Sequence, residues 1–117
     1  MNPDPILQLD KTIHEKGRLA IMSLLAASPN LSFTEIRDTL GMTDGNVTAH
    51  MRTLQQAEYV AVTKAVRKKR SLTTYSLTQG GLEAFETYLN NLEAVLRQTR
   101  PIPSSDSAST IKSKESE

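Results

Sequence analysis

From about Lys11 to Ala27, apolar residues recur at mixed three- and four-residue steps. Ile13, Leu19, Ile21, Met22, Leu24 and Leu25 predict a helix buried over a wide face. Ser28-Pro29-Asn30 ends it. Gly17 costs about 1 kcal/mol relative to alanine in a helix interior, so the regular helix is expected to begin near Arg18. Ser32-Phe33-Thr34-Glu35 has the form of a capping box, and Phe33, Ile36 and Leu40 give the short helix that follows one apolar side. Gly41 can take the left-handed conformation that ends it. After the turn Gly41-Met42-Thr43, Val47, Met51 and Leu54 fall on one side of a helix from Asp44 to Ala57. Gly45, Asn46, Ala49, Arg52, Thr53 and Gln56 project away from that stripe, with Thr48 and His50 on its flanks.

The periodicity then changes. Tyr59 to Val66 and Leu72 to Leu77 are rich in β-branched residues and read as two strands of an antiparallel hairpin, with Arg67-Lys68-Lys69-Arg70-Ser71 at its tip. Val60, Val62, Tyr75 and Leu77, spaced by two along each strand, are the expected core-facing set. Thr78 is an expected N-cap for a last helix over about 79–97, along which Leu82, Phe85, Leu89, Leu92 and Leu96 form a short heptad seam. Beyond it, the Pro- and Ser-rich stretch and the charged end predict a disordered tail over 99–117, as residues 1–10 predict an N-terminal arm. A single domain is expected over 11–98.

Charge placement changes this picture more than composition does. The 117 residues carry a formal net charge of only +1, yet no acid occurs from Tyr59 to Gly81, where Lys64, Arg67, Lys68, Lys69 and Arg70 cluster. Cysteine is absent, which excludes disulfides, thiolate metal sites and cysteine nucleophiles and fits a reducing cytoplasm. There is no apolar run of about 18 residues, and the start Met1-Asn2-Pro3-Asp4-Pro5 has no signal-peptide form, so a cytoplasmic protein is expected.

Helix, helix, tight turn, helix, two strands with a basic tip, helix is the order of a winged helix-turn-helix domain, mainly α with a small β-hairpin. Its second turn-flanking helix, about 44–57, is the one that enters the major groove, and the hairpin over about 59–77 is the wing. Arg18-Leu19-Ala20-Ile21, Phe33-Thr34-Glu35-Ile36, Thr43-Asp44-Gly45-Asn46-Val47, His50-Met51, Leu54 and Thr74-Tyr75-Ser76-Leu77-Thr78 together resemble the MarR/ArsR-like winged-helix DNA-binding regulators, over about Leu9 to Leu96. The resemblance is to the small stand-alone family whose last helix completes a dimer. It implies a prokaryotic repressor or activator, with a two-fold axis near the terminal helices. Glu58 departs from the pattern, since such proteins usually carry glycine before the first wing strand, and the turn there is expected to be less tightly left-handed. The wing is also denser in positive charge than many.

The expected DNA contacts follow from these positions. Lys64, Arg67, Lys68, Lys69 and Arg70 of the wing would neutralise phosphates, and Thr73 is a further expected DNA contact. Asn46, Thr48, His50, Arg52 and Thr53 can bond base edges or nearby phosphates, Ala49 can touch a thymine methyl, and Ser32 and Thr34 are candidate phosphate contacts at a helix start. Leu82, Phe85, Leu89, Leu92 and Leu96 are the expected homodimer interface. Partners are therefore double-stranded DNA and a second copy. No cofactor and no metal is expected, because His14 and His50 supply too few ligands, and no residue pattern indicates a small-molecule effector. No Ser/His/Asp constellation points to an enzyme. A winged-helix protein-interaction module whose wing meets an acidic partner is the alternative. Structured RNA is disfavoured by the lack of an aromatic platform.

Overall fold

The computed structural model describes residues 4–100. A 3-10 helix over Pro5–Gln8 leads into α1 (Lys16–Ala27), β1 (Leu31–Ser32), α2 (Phe33–Leu40), α3 (Asp44–Gln56), β2 (Val60–Arg67), β3 (Arg70–Leu77) and α4 (Gln79–Thr99). The winged helix-turn-helix architecture is borne out, with one addition. The short strand β1, just before the capping box, pairs antiparallel with β3 (Leu31↔Tyr75, Ser32↔Thr74), giving a three-stranded sheet of order β1-β3-β2. Two residues are too few to show an alternation in sequence, so only tertiary pairing reveals this strand.

Ile21, Met22 and Leu25 of α1, Ile36 of α2, Val47, Met51 and Leu54 of α3, and Val60 of β2 close into one core with Phe85 and Tyr88 of α4. Leu9 and Ile13 join it, and the 3-10 helix before them packs along α4, so the expected arm is docked against the domain. Asp10 makes this possible by accepting hydrogen bonds from the amides of Thr12 (2.8 Å) and Ile13 (3.3 Å), a turn that drives Ile13 inward. The start of α1 differs from the expectation at Arg18. Glu15 is the N-cap and accepts from the Arg18 amide at 2.8 Å, so the helix begins at Lys16 and Gly17 falls in its first turn. The capping box of α2 forms as the sequence predicts, with Glu35 N–H donating to Ser32 Oγ (3.1 Å) and Ser32 N–H donating to Glu35 Oε1 (2.8 Å). Gly41 ends α2 at φ +67°.

The hairpin pairs Val60 with Leu77 and Val62 with Tyr75, placing all four on one face as expected. Only Val60 is buried, however, while Tyr75 and Leu77 are half-buried and Val62 is 42% exposed. The hairpin outruns the core after its first few residues, so the alternation continues where there is nothing left to pack against. The 101–117 part of the expected tail lies outside the described residues; α4 itself continues to Thr99.

α3, the wing and α4 meet at a corner built on Tyr59. Tyr59 N–H donates to Leu54 O and its carbonyl accepts from Thr78 N–H, both at 3.0 Å. The Thr78 hydroxyl caps α4 by accepting from Gly81 N–H (2.8 Å) and donates to Glu58 O (2.7 Å). Gly81 is required here. A Cβ at that position would lie 2.9 Å from the Tyr59 carbonyl carbon and 3.0 Å from its Cα, and backbone cannot step aside. Glu58 corrects the second expectation, because its φ is +66° despite being no glycine. The corner imposes the left-handed turn, at a cost of about 1–2 kcal/mol for a residue with a Cβ.

Replacing Glu58 with glycine should therefore raise the stability by about 0.5–1 kcal/mol, less than the full strain because glycine also gives the unfolded chain more freedom. Thermal unfolding followed by circular dichroism should show a midpoint several degrees higher. An unchanged or lower midpoint would mean that the turn is unstrained.

Candidate nucleic-acid interface

α3 is fixed at both ends before any ligand arrives. Thr43 caps it, accepting from Asn46 N–H at 3.1 Å, and the corner at Tyr59 closes its far end. Across the tight turn, Arg37 of α2 donates to Asp38 and to Asp44, each at 2.9 Å. Those two carboxylates hold the guanidinium in its charged form, well above the ordinary arginine range. Asp44 also lies in the first turn of α3, where a negative charge suits the helix dipole.

Burial of Val47, Met51 and Leu54 leaves the opposite face of α3 in solvent. Asn46, Thr48, Ala49 and Arg52 are exposed. Thr53 is half-buried and its hydroxyl donates to Ala49 O at 3.3 Å, as a threonine bonded back into its own helix does. His50 departs from the set expected to read bases. Its side chain is only 20% exposed, and its Nδ1 faces Glu15 Oε1 at 3.7 Å, turned toward α1. Ser32 also departs. It is buried and its hydroxyl is spent on the capping box, so only the exposed Thr34 remains available at the start of α2. Glu35 beside it is held ionised, chiefly by the Ser32 backbone N–H, which puts a negative charge where a phosphate was expected.

Lys64, Arg67, Lys68, Lys69 and Arg70 are all exposed along the outer wing, and Thr73, paired with Lys64, is half-buried. The strands run further than the sequence suggests, so the turn shrinks to Lys68-Lys69, with φ of +51° and +64°. Two-residue hairpin turns of this kind demand positive φ at both positions and favour Asn-Gly. Here two lysines take it, and Arg67 pairs directly across from Arg70, a like-charge juxtaposition that weakens a hairpin. Arg67 is partly recruited inward, donating to Asn30 O at 3.4 Å. The tip thus carries four cations in a conformation that local preferences oppose.

The seam on α4 splits into two faces. Phe85 is buried in the chain's own core and Leu92 is half-buried against it, beside Tyr88, which lies off the leucine seam. Tyr88 Oη pairs with His14 Nδ1 at 2.8 Å, and burial pushes its hydroxyl's pKa upward. Leu82, Leu89 and Leu96, at seven-residue spacing, stay 43%, 44% and 43% exposed. A strict alternation of three and four cannot tell a seam from an ordinary amphipathic helix, because both place the same leucines within one broad stripe.

Residues 18–96 match the family model of the winged helix DNA-binding domain. The chain belongs to that family. Winged helix DNA-binding domains of this kind serve as transcriptional regulators and not as enzymes, and the resemblance to MarR-type regulators read from the sequence is borne out. An uncharacterised protein of Methanocaldococcus jannaschii is 32% identical over 79 residues, covering 68% of this chain and 86% of its own. The structure of a transcriptional regulator homologue from Pyrococcus horikoshii superposes with a TM-score of 0.75 at 26% identity, covering 83% of this chain and 98% of that one. A variant of S. aureus MepR bound to an oligodeoxyribonucleotide shares the fold, with a TM-score of 0.59 at 16% identity over 96% of this chain and 85% of its own. Among the described residues of this winged helix protein, no helix is long and apolar enough to cross a membrane.

The strained tip yields a direct expectation. Changing Lys68→Asn together with Lys69→Gly supplies the residues that the turn prefers and removes repulsion, so the outer hairpin should gain about 1–2 kcal/mol. Amide hydrogen exchange at Ala65 and Leu72, whose amides face each other across the outer hairpin, should slow accordingly. Unchanged exchange would show that the tip is not under strain.

Proposed function

We propose that this DNA-binding regulator acts as a homodimer that recognises a two-fold symmetric duplex sequence, reading bases with α3 and gripping phosphates with the wing. The observation that carries the reading is the solvent face of α3. Asn46, Thr48, Ala49 and Arg52 stand free on a helix whose other side and both ends are immobilised, and the same chain segment runs straight on into five exposed wing cations. A rigid helix with a polar outer face fits the major groove, where donors and acceptors distinguish all four base pairs. The wing cations supply affinity by displacing counterions, without sequence information.

Leu82, Leu89 and Leu96 support the dimer. An exposed apolar row on a terminal helix is costly unless covered, and the exposed Ile6 and Leu7 belong to the 3-10 helix that packs along the same α4. A second copy related by a two-fold axis would cover both rows at once. The S. aureus MepR variant of the same fold, bound to an oligodeoxyribonucleotide, supports DNA as the ligand.

Two sets of variants separate the roles. Replacing Lys68, Lys69 and Arg70 with alanine should weaken binding to every duplex alike and flatten the dependence of log affinity on log salt by roughly 0.9 for each phosphate no longer neutralised. Arg52→Ala should instead relax sequence preference, losing roughly 1–3 kcal/mol at one base pair. An unchanged salt slope would remove the wing from the interface, and equal losses on all sequences would move the reading face elsewhere. For the dimer, Leu89→Arg should give a smaller particle by sedimentation velocity; a wild-type monomer would contradict it.

A further inference from the structure

We infer that His50 is a positioning residue for α3, seated on Gly17 of α1 so that it fixes how far the reading helix stands from the rest of the domain. This rests on α3 being the reading helix and adds what holds it in place. The imidazole lies over the Gly17 backbone so closely that a Cβ there would come within 2.7 Å of its Cδ2 and 3.2 Å of its Cε1, and closer still to Nε2. Ordinary Cβ contacts do not approach side-chain atoms so nearly, so the seat exists only because residue 17 is glycine. Gly17 itself is buried, and the carboxylate of Glu15, two residues before it, faces the ring at 3.7 Å. Glu15 is kept ionised, first by the Arg18 amide that it caps, with His50 a smaller contributor.

Position 50 lies between the exposed Ala49 and the buried core residue Met51, one turn beyond Asn46. The ring therefore reaches α1 from the flank of the face that would meet bases, and any displacement is felt there. Beside it runs a groove of about 430 Å³, bordered by Glu15, Gly17, Leu40, Met42, Asn46 and His50. A ring pushed off its seat has somewhere to go without breaking the core. Loss of the seat should thus alter the reading face while the domain stays folded.

Gly17→Ala separates the two effects because they run in opposite directions. Alanine is the better helix former, so thermal stability should be equal or higher. The added methyl should dislodge His50, however, and lower affinity for the duplex selected by the wild type roughly ten-fold. In a His50→Ala background the same change should have no further effect on affinity. Binding by Gly17→Ala at wild-type strength, or an equal loss with and without His50, would overturn the inference. If Gly17→Ala melts well below wild type, His50→Ala alone decides, through weaker binding at an unchanged melting temperature as against wild-type binding. Arg52→Ala distinguishes the levels. If it leaves sequence preference untouched, α3 is not the reading helix; if it relaxes preference while Gly17→Ala binds normally, only the role of His50 falls.

Discussion

The backbone of Tyr59 is the point through which α3, the wing and α4 are joined. Its amide terminates α3, its carbonyl receives the first amide after the wing, and its Cα and carbonyl carbon form the surface against which Gly81 brings the start of α4. The Tyr59 hydroxyl donates to Asp10, which also shapes the turn that buries Ile13. That bond, together with burial, pushes the phenol's pKa up to about 12, so the contact is retained across neutral pH. α3, the wing and α4 therefore cannot move independently near this corner. Covering the exposed leucines of α4 at one end would fix where α3 and the wing project at the other.

Rigidity near the corner contrasts with strain far from it. Glu58 is forced into a left-handed turn by the junction, whereas Lys68 and Lys69 hold theirs at a tip that little else supports. Both sites oppose the local preferences of the chain, and such conflicts concentrate where function or assembly outweighs stability. At Glu58 the gain is the corner itself. At the tip it is a dense array of cations whose mutual repulsion a polyanion would relieve.

Most of the fold was legible because helices declare themselves by periodicity and caps. The capping box at Ser32, the stop at Gly41 and the stripe Val47, Met51 and Leu54 all appear where the sequence places them. What escaped was fixed by tertiary contact. β1 is two residues long, nothing in the spacing of Ile6, Leu7 and Leu9 shows that Leu9 alone is buried, and Tyr88 looks polar until a core packs around it and His14 pairs with it. At the candidate interface, the exposed character of Asn46, Thr48, Ala49, Arg52 and the wing cations follows from helix and hairpin geometry alone. His50 and Ser32 turn away for reasons that no spacing reveals, a neighbouring glycine in one case and a cap that consumes the hydroxyl in the other.

Selection of bound fragments from randomised duplex DNA at about 150 mM salt bears most directly on the claim that a dimer reads sequence with α3 and holds phosphates with the wing. The arrangement predicts recovery of a two-fold symmetric site whose half-sites lie about one helical turn, or roughly 34–36 Å, apart or a multiple of it. Recovery of no preferred sequence, with only weak and salt-sensitive binding, would contradict it.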